Sequence, residues 1–123
     1  MPLPFLSLEE ILSAHPKNEC PKFPYCEACK KKVCIRLIAI ANLPTRFGRF
    51  KIIGFVNNKD LRDDHSALIH GDISYKENVL CRIHSECLTG DVFGSLRCDC
   101  RDQLTTSLKL IGQATEGIVI YLR

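Results

Sequence analysis

Between His84 and Cys100 the chain reads HSECLTGDVFGSLRCDC, and three of these residues are cysteines. If the three thiols serve one ion, Cys87 must return to Cys98 and Cys100 across LTGDVFGSLR, a demand that few local folds meet. Cys98 and Cys100 are separated only by Asp99, so both reach one ion from a tight turn or helix start, not from one face of a helix. Gly90 and Gly94 give the intervening segment its bend. Three thiolates suit zinc, and three protein ligands are the number that leaves a fourth position for water. Such a zinc supplies hydroxide near neutral pH for attack on an electrophilic carbon. The competing explanation is three reduced cysteines packed as small hydrophobes. The spacing C-x10-C-x-C is not a common one for structural zinc.

The compartment bears on that choice. The eight cysteines fall into two clusters, Cys20, Cys26, Cys29 and Cys34, then Cys81, Cys87, Cys98 and Cys100. The N-terminus MPLPFLSLEEILSAH has no basic segment before its apolar residues, and Glu9 and Glu10 interrupt them, so no secretory signal is expected. A cytoplasmic, reducing location follows, in which close cysteines favour metal over disulfides. In the first cluster Cys26 and Cys29 form a knuckle pair, with Cys20 and Cys34 completing four thiolates for a second zinc or an iron–sulfur cluster. Four unliganded thiols in a leader are the plain alternative.

At 123 residues, 46% hydrophobic and 25% charged, the chain has the make-up of a globular protein without a membrane span. The net charge of +3 is concentrated in CKKKVCIR at positions 29–36. That cluster reads as solvated surface, and no basic stripe is interleaved with aromatics, which argues against a nucleic-acid partner.

Residues 1–34 are expected to form an appendage. Ser7 and Glu10 fit a capping box for a short helix over SLEEILSAH, followed by a proline-broken, cysteine-bearing loop. Residues 35–123 are expected to form an α/β domain, a mixed β-sheet with packed helices. VCIRLIAIANLPT reads as a strand ended by Pro44, and GRFKIIGFV, SALIHGD and VLCRIHSE read as three more. In the last, Leu80, Arg82, His84 and Glu86 alternate with Cys81, Ile83 and Ser85, giving one polar face. RDQLTTSLKLIGQA places Leu104, Leu108 and Ile111 on one helical stripe, with Asp99 or Asp102 near its start. IVIYLR suits a buried, parallel strand.

Arg82 is suited to clamping phosphate, Glu86 to holding magnesium or orienting a base, and His84 to phosphate binding or proton transfer. With these residues in place, RIHSECLTGDVFGSLRCDCRDQL resembles the signature of the GTP cyclohydrolase II family of riboflavin biosynthesis. The likeness extends through ANLPTRFGRFKIIGF and DDHSALIHGDI upstream and EGIVIYLR downstream, about residues 41–123.

The resemblance implies a zinc at Cys87, Cys98 and Cys100 that activates water against the imidazole ring of GTP, releasing formate and pyrophosphate. It implies nucleotide contacts from Arg82, Ile83, His84, Ser85 and Glu86, and from Gln103, with Mg2+ as a companion of the phosphates and a homodimer as the assembly. Asp91 and Asp99 are expected to support or cap the ligands. Two departures stand out. Arg101 occupies the position after the last zinc cysteine, where the family has glycine, and the family's Gln-Glu-Gly-Arg segment, base and nucleophile would follow Arg123. A truncated GTP cyclohydrolase II-like fold is therefore expected, inactive on its own. The alternatives are a zinc- and nucleotide-binding protein without turnover, and a basic zinc module that binds nucleic acid.

Overall fold

The computed structural model describes residues 35–59 and 64–123. The helix expected at residues 7–15 and the four-cysteine site of Cys20, Cys26, Cys29 and Cys34 lie outside the described residues, as does nearly all of the basic cluster. The described chain runs β1 (Ile35–Thr45), β2 (Gly48–Asn57), β3 (His65–His70), β4 (Cys81–Ser85), α1 (Leu88–Asp91), α2 (Cys100–Gln113) and β5 (Gly117–Leu122). The five strands form one mixed sheet in the order β1-β2-β3-β5-β4.

Strands β1, β2, β3 and β5 are antiparallel neighbours, and β4 joins β5 in parallel. The expected parallel strand over IVIYLR is thus parallel on one side only. Apolar, β-branched residues fill β5, and its centre, Val119, has no exposed surface. Pro44 does not end β1, contrary to the sequence reading: it pairs with Arg49 and Thr45 continues the strand. β1 is an edge strand, where a residue without an N–H is tolerated if that side faces away from the ladder. The turn into β2 is held by Thr45, whose hydroxyl donates to the Gly48 carbonyl at 2.8 Å and accepts the Phe47 N–H at 3.1 Å.

The core lies between the sheet and α2. Phe50, Ile111 and Val119 are its buried centre, with Leu43, Phe47, Leu68, Leu104 and Leu108 packed around them. The stripe expected from the sequence is therefore the face that α2 buries. Close approach at its C-terminal end requires Gly112, because a Cβ there would land on the Phe47 carbonyl. The His70 ring fastens the same end, lying 2.8 Å from the Arg49 carbonyl oxygen and 3.1 Å from that of Ala114. With its far end fixed, α2 presents its first turn, carrying Cys100 and Gln103, beside β4.

Candidate metal and nucleotide site

Strand alternation places Arg82 and His84 on the α2-facing side of β4, and Cys81, Ile83 and Ser85 on the other. Ile83 is 59% exposed. The chain then leaves β4 through Glu86, whose N–H donates to the Leu122 carbonyl at 2.7 Å. Cys87 is the N-cap of α1, a single helical turn over LTGD that no hydrophobic period announces. Gly94, at φ +71°, makes the reversal, and a loop returns the chain to Cys98 and the start of α2 at Cys100.

The three sulfurs converge. All Sγ atoms of Cys87, Cys98 and Cys100 lie within 4.8 Å of one another, and Cys87 Sγ is 3.7 Å from Cys98 Sγ. Tetrahedral coordination with metal–sulfur bonds of about 2.3 Å separates sulfurs by roughly 3.8 Å, so this edge already has the span of a shared ion. Gly90 forms the floor: a Cβ there would stand 2.8 Å from Cys98 Sγ and 3.3 Å from Cys87 Sγ. Its backbone is outside the left-handed region, so the glycine supplies space and not the bend expected of it; Gly94 supplies the bend.

The thiols are electrostatically unequal. The Gly90 N–H and the Thr89 hydroxyl, then the neighbouring thiols, hold the Cys87 thiol below its ordinary range. Cys100, donating towards Cys87 and Cys98, is pushed up to about 12. Negative charge is thus favoured on Cys87 over Cys100, and a cation among the sulfurs would draw off the Cys100 proton as well. The four described cysteines are free, and the triad is a soft, three-ligand set that fits a thiophilic metal with one position open.

Around the thiols, Arg82 Nη2 donates to Gln103 Oε1 at 2.9 Å, and Gln103 Nε2 donates to Asp99 Oδ1 at 2.8 Å. Two residues expected to meet a nucleotide are thereby brought together on the rim. Asp99 is the N-cap of α2, yet its carboxylate holds Gln103 and makes no cap bond. Glu86 accepts from Arg123 Nε at 3.4 Å. Arg101 extends back over the loop, with Nη1 at 3.0 Å from the place a Gly94 Cβ would take.

His84 is placed differently from the expected phosphate ligand. It is 3% exposed, and its Nε2 lies 3.1 Å from both oxygens of Asp91, whose side chain is 4% exposed. It faces α1 and Asp91 instead of solvent. Asp91 also accepts the Cys87 N–H at 3.0 Å and the Tyr121 hydroxyl at 2.7 Å. Tyr121 was not singled out by sequence, because IVIYLR reads as apolar core; a lone hydroxyl in a buried strand, which must find a partner, was its one signal.

The GTP cyclohydrolase II family profile matches residues 36–123. The GTP cyclohydrolase-2 of Picrophilus torridus is 54% identical over 89 residues, covering 72% of this chain and 45% of that protein. The enzyme of the same name from Haemophilus influenzae (strain PittGG) is 54% identical over 90 residues, 72% of this chain and 41% of that one. The riboflavin biosynthesis protein RibBA of Salinispora tropica is 49% identical over 89 residues, 72% of this chain and 22% of that one. A solved two-domain 3,4-dihydroxy-2-butanone 4-phosphate synthase from A. baumannii aligns at 16% identity with a TM-score of 0.41, too loose a likeness to argue from. The chain spans less than half the length of the curated relatives it matches. The match takes in all five strands but for the first residue of β1, and every residue of the thiol site, and on that ground the chain belongs to the GTP cyclohydrolase II family.

Proposed function

We propose that this chain provides the zinc- and nucleotide-binding part of a GTP cyclohydrolase II, the hydrolase that opens the imidazole ring of GTP with loss of formate and pyrophosphate at the start of riboflavin biosynthesis. The observation that carries this reading is the thiol triangle of Cys87, Cys98 and Cys100 over Gly90, inside the region matched by the family. Three soft ligands with one open position favour zinc, and zinc when bound supplies a nucleophilic water at neutral pH.

The remaining work belongs to side chains of this protein. Arg82, exposed and steadied through one N–H by Gln103, keeps further N–H groups for phosphate oxygens. Gln103 is oriented from both ends, by Arg82 and by Asp99, so a nucleotide on the rim meets a preset amide. Glu86 sits directly before Cys87 and is the candidate to steer a magnesium ion with the phosphates. Ile83 and Ser85 face away from the thiols and would contribute backbone groups that β4 leaves unpaired at the sheet edge. His84 has the role of support. GTP is the proposed partner, a homodimer the proposed assembly and the reducing cytoplasm the proposed location; among the described residues no helix is long and apolar enough to cross a membrane.

A second reading concerns these 123 residues by themselves: they bind zinc and nucleotide without turnover. It is favoured by the 41–45% of relatives' length that the chain covers. One experiment addresses both. Residues 36–123 replace the matched region of the Picrophilus torridus enzyme, and formate release from GTP is measured for the chimera and for the 123-residue chain. The chimera should turn over and the chain alone should not. A folded, zinc-loaded chimera that releases no formate contradicts the first reading; release by the chain alone contradicts the second.

A further inference from the structure

Behind the thiols, on the side away from the rim, lies a polar cluster that the proposed chemistry does not use. Asp91, at the end of α1, has a side chain 4% exposed and takes three donors: the Cys87 N–H at 3.0 Å, the Tyr121 hydroxyl at 2.7 Å and His84 Nε2 at 3.1 Å. The His84 and Tyr121 rings stack, with centroids 5.5 Å apart and planes inclined by 19°. His84 and Tyr121 are also register partners across the parallel β4–β5 pair.

A buried carboxylate is costly unless its oxygens are satisfied, and here each donor comes from a different element. β4 sends His84, β5 sends Tyr121, and the metal-ligand loop sends the backbone of Cys87 itself. Cys87 makes no side-chain cap on α1, but its backbone is tied to Asp91 twice, its N–H donating to the carboxylate at 3.0 Å and its carbonyl accepting the Asp91 N–H at 2.7 Å. The thiol is one residue's length from the carboxylate. Any shift of Asp91 therefore moves Cys87 relative to Cys98 and Cys100, which arrive from α2 and its loop without a partner in the cluster.

We propose that Asp91, held by Tyr121 and His84, is a positioning residue for the metal: it sets where Cys87 stands relative to the other two thiols, and so sets metal affinity and coordination geometry. This rests on the zinc reading of the thiol triangle. It gives Tyr121 and His84 a function at a distance from the substrate, and it explains why a histidine in the expected nucleotide-binding segment is buried.

The test is cobalt titration of the metal-free 123-residue chain carrying Ser at Cys20, Cys26, Cys29 and Cys34, following the thiolate-to-cobalt charge-transfer and d–d bands. The same background then carries Tyr121→Phe, Asp91→Asn or Asp102→Asn. Tyr121→Phe removes only one hydroxyl, so it keeps the test alive if Asp91→Asn does not fold. Asp102→Asn removes a carboxylate from the first turn of α2 without touching the cluster. Tyr121→Phe should weaken cobalt binding about tenfold or more, the scale seen when outer hydrogen-bond partners of metal ligands are lost. It should also shift the d–d bands, while Asp102→Asn changes neither. A mere loss of fold stability would lower the melting temperature but leave the spectrum of the loaded protein unmoved. Unchanged affinity and spectrum in Tyr121→Phe, with normal binding by the parent, overturns the positioning role alone. Absence of thiolate bands in the parent overturns the zinc reading, and this inference with it.

Discussion

Replacing Gly90 by alanine sets the helix turn and the thiol site against each other. The backbone of Gly90 is outside the left-handed region and within α1, so alanine is conformationally acceptable and gains about 0.5–1 kcal/mol over glycine in a helix. The methyl group, however, would stand 2.8 Å from Cys98 Sγ, 3.1 Å from Cys100 Cβ and 3.3 Å from Cys87 Sγ. Ordinary carbon–sulfur contact needs roughly 3.5–4 Å, so Cys98 Sγ must retreat by close to an ångström. Cys98 is exposed and free to do so in the metal-free chain. Ligand distances tolerate only about ±0.2 Å, and a structural zinc site is worth about 10–16 kcal/mol in all, so excluding one thiolate should cost about 3–4 kcal/mol. That is a loss of several hundredfold in affinity. Competition with a chromophoric chelator measures the affinity, and thermal melts of the metal-free chain measure the fold. The expected pair is a large loss of zinc affinity with an unchanged or slightly raised melting temperature. Wild-type affinity in Gly90→Ala would refute the claim that this glycine is the floor of a metal site.

Three other outcomes are expected. Gly112→Ala should lower the melting temperature by several degrees, since its methyl would meet the Phe47 carbonyl and overpacking of this kind costs about 1–3 kcal/mol; an unchanged melt would mean that the β1–β2 turn yields freely. Burial raises the Asp91 carboxyl, but the Cys87 N–H, the Tyr121 hydroxyl and His84 outweigh it and hold it below the usual carboxylate range. Its stabilisation is therefore complete above the unfolded value of about 3.9 and lost as pH falls through the folded value, so Asp91→Ala should flatten the acid-unfolding limb of the metal-free chain below about pH 4. In the chimera described above, Arg82→Ala should weaken GTP binding about ten- to a hundredfold, the loss of one charge-assisted phosphate contact; equal affinity by calorimetry would remove Arg82 from the phosphate site.

Apolar runs and, in β4, period-2 alternation made much of the sheet legible in the sequence, and β4 most usefully, because Arg82 and His84 do share one polar face, the first meeting Gln103 of α2 and the second Asp91 of α1. The stripe of Leu104, Leu108 and Ile111 was legible for the same reason, each residue turning to the core beneath one helix. What alternation cannot give is depth. Arg82 reaches the rim and His84 meets α1, although both occupy the same face, because α1 closes over only one of them. α1 itself is too short to have a period. Pro44 misled because its cost depends on strand order, and an edge position cannot be read from composition. The convergence of Cys87, Cys98 and Cys100 followed from spacing and ligand chemistry, whereas the carboxylate that anchors Cys87 involves Tyr121, thirty residues from Asp91 in the chain. No local pattern links the two.

Metal content decides whether Cys87, Cys98 and Cys100 hold one zinc ion. The chain carrying Ser at Cys20, Cys26, Cys29 and Cys34 should purify with one zinc per molecule, and adding Cys98→Ser should abolish that equivalent. Zinc retained at full stoichiometry after Cys98→Ser, or no zinc in the parent after exposure to excess metal, would contradict the account.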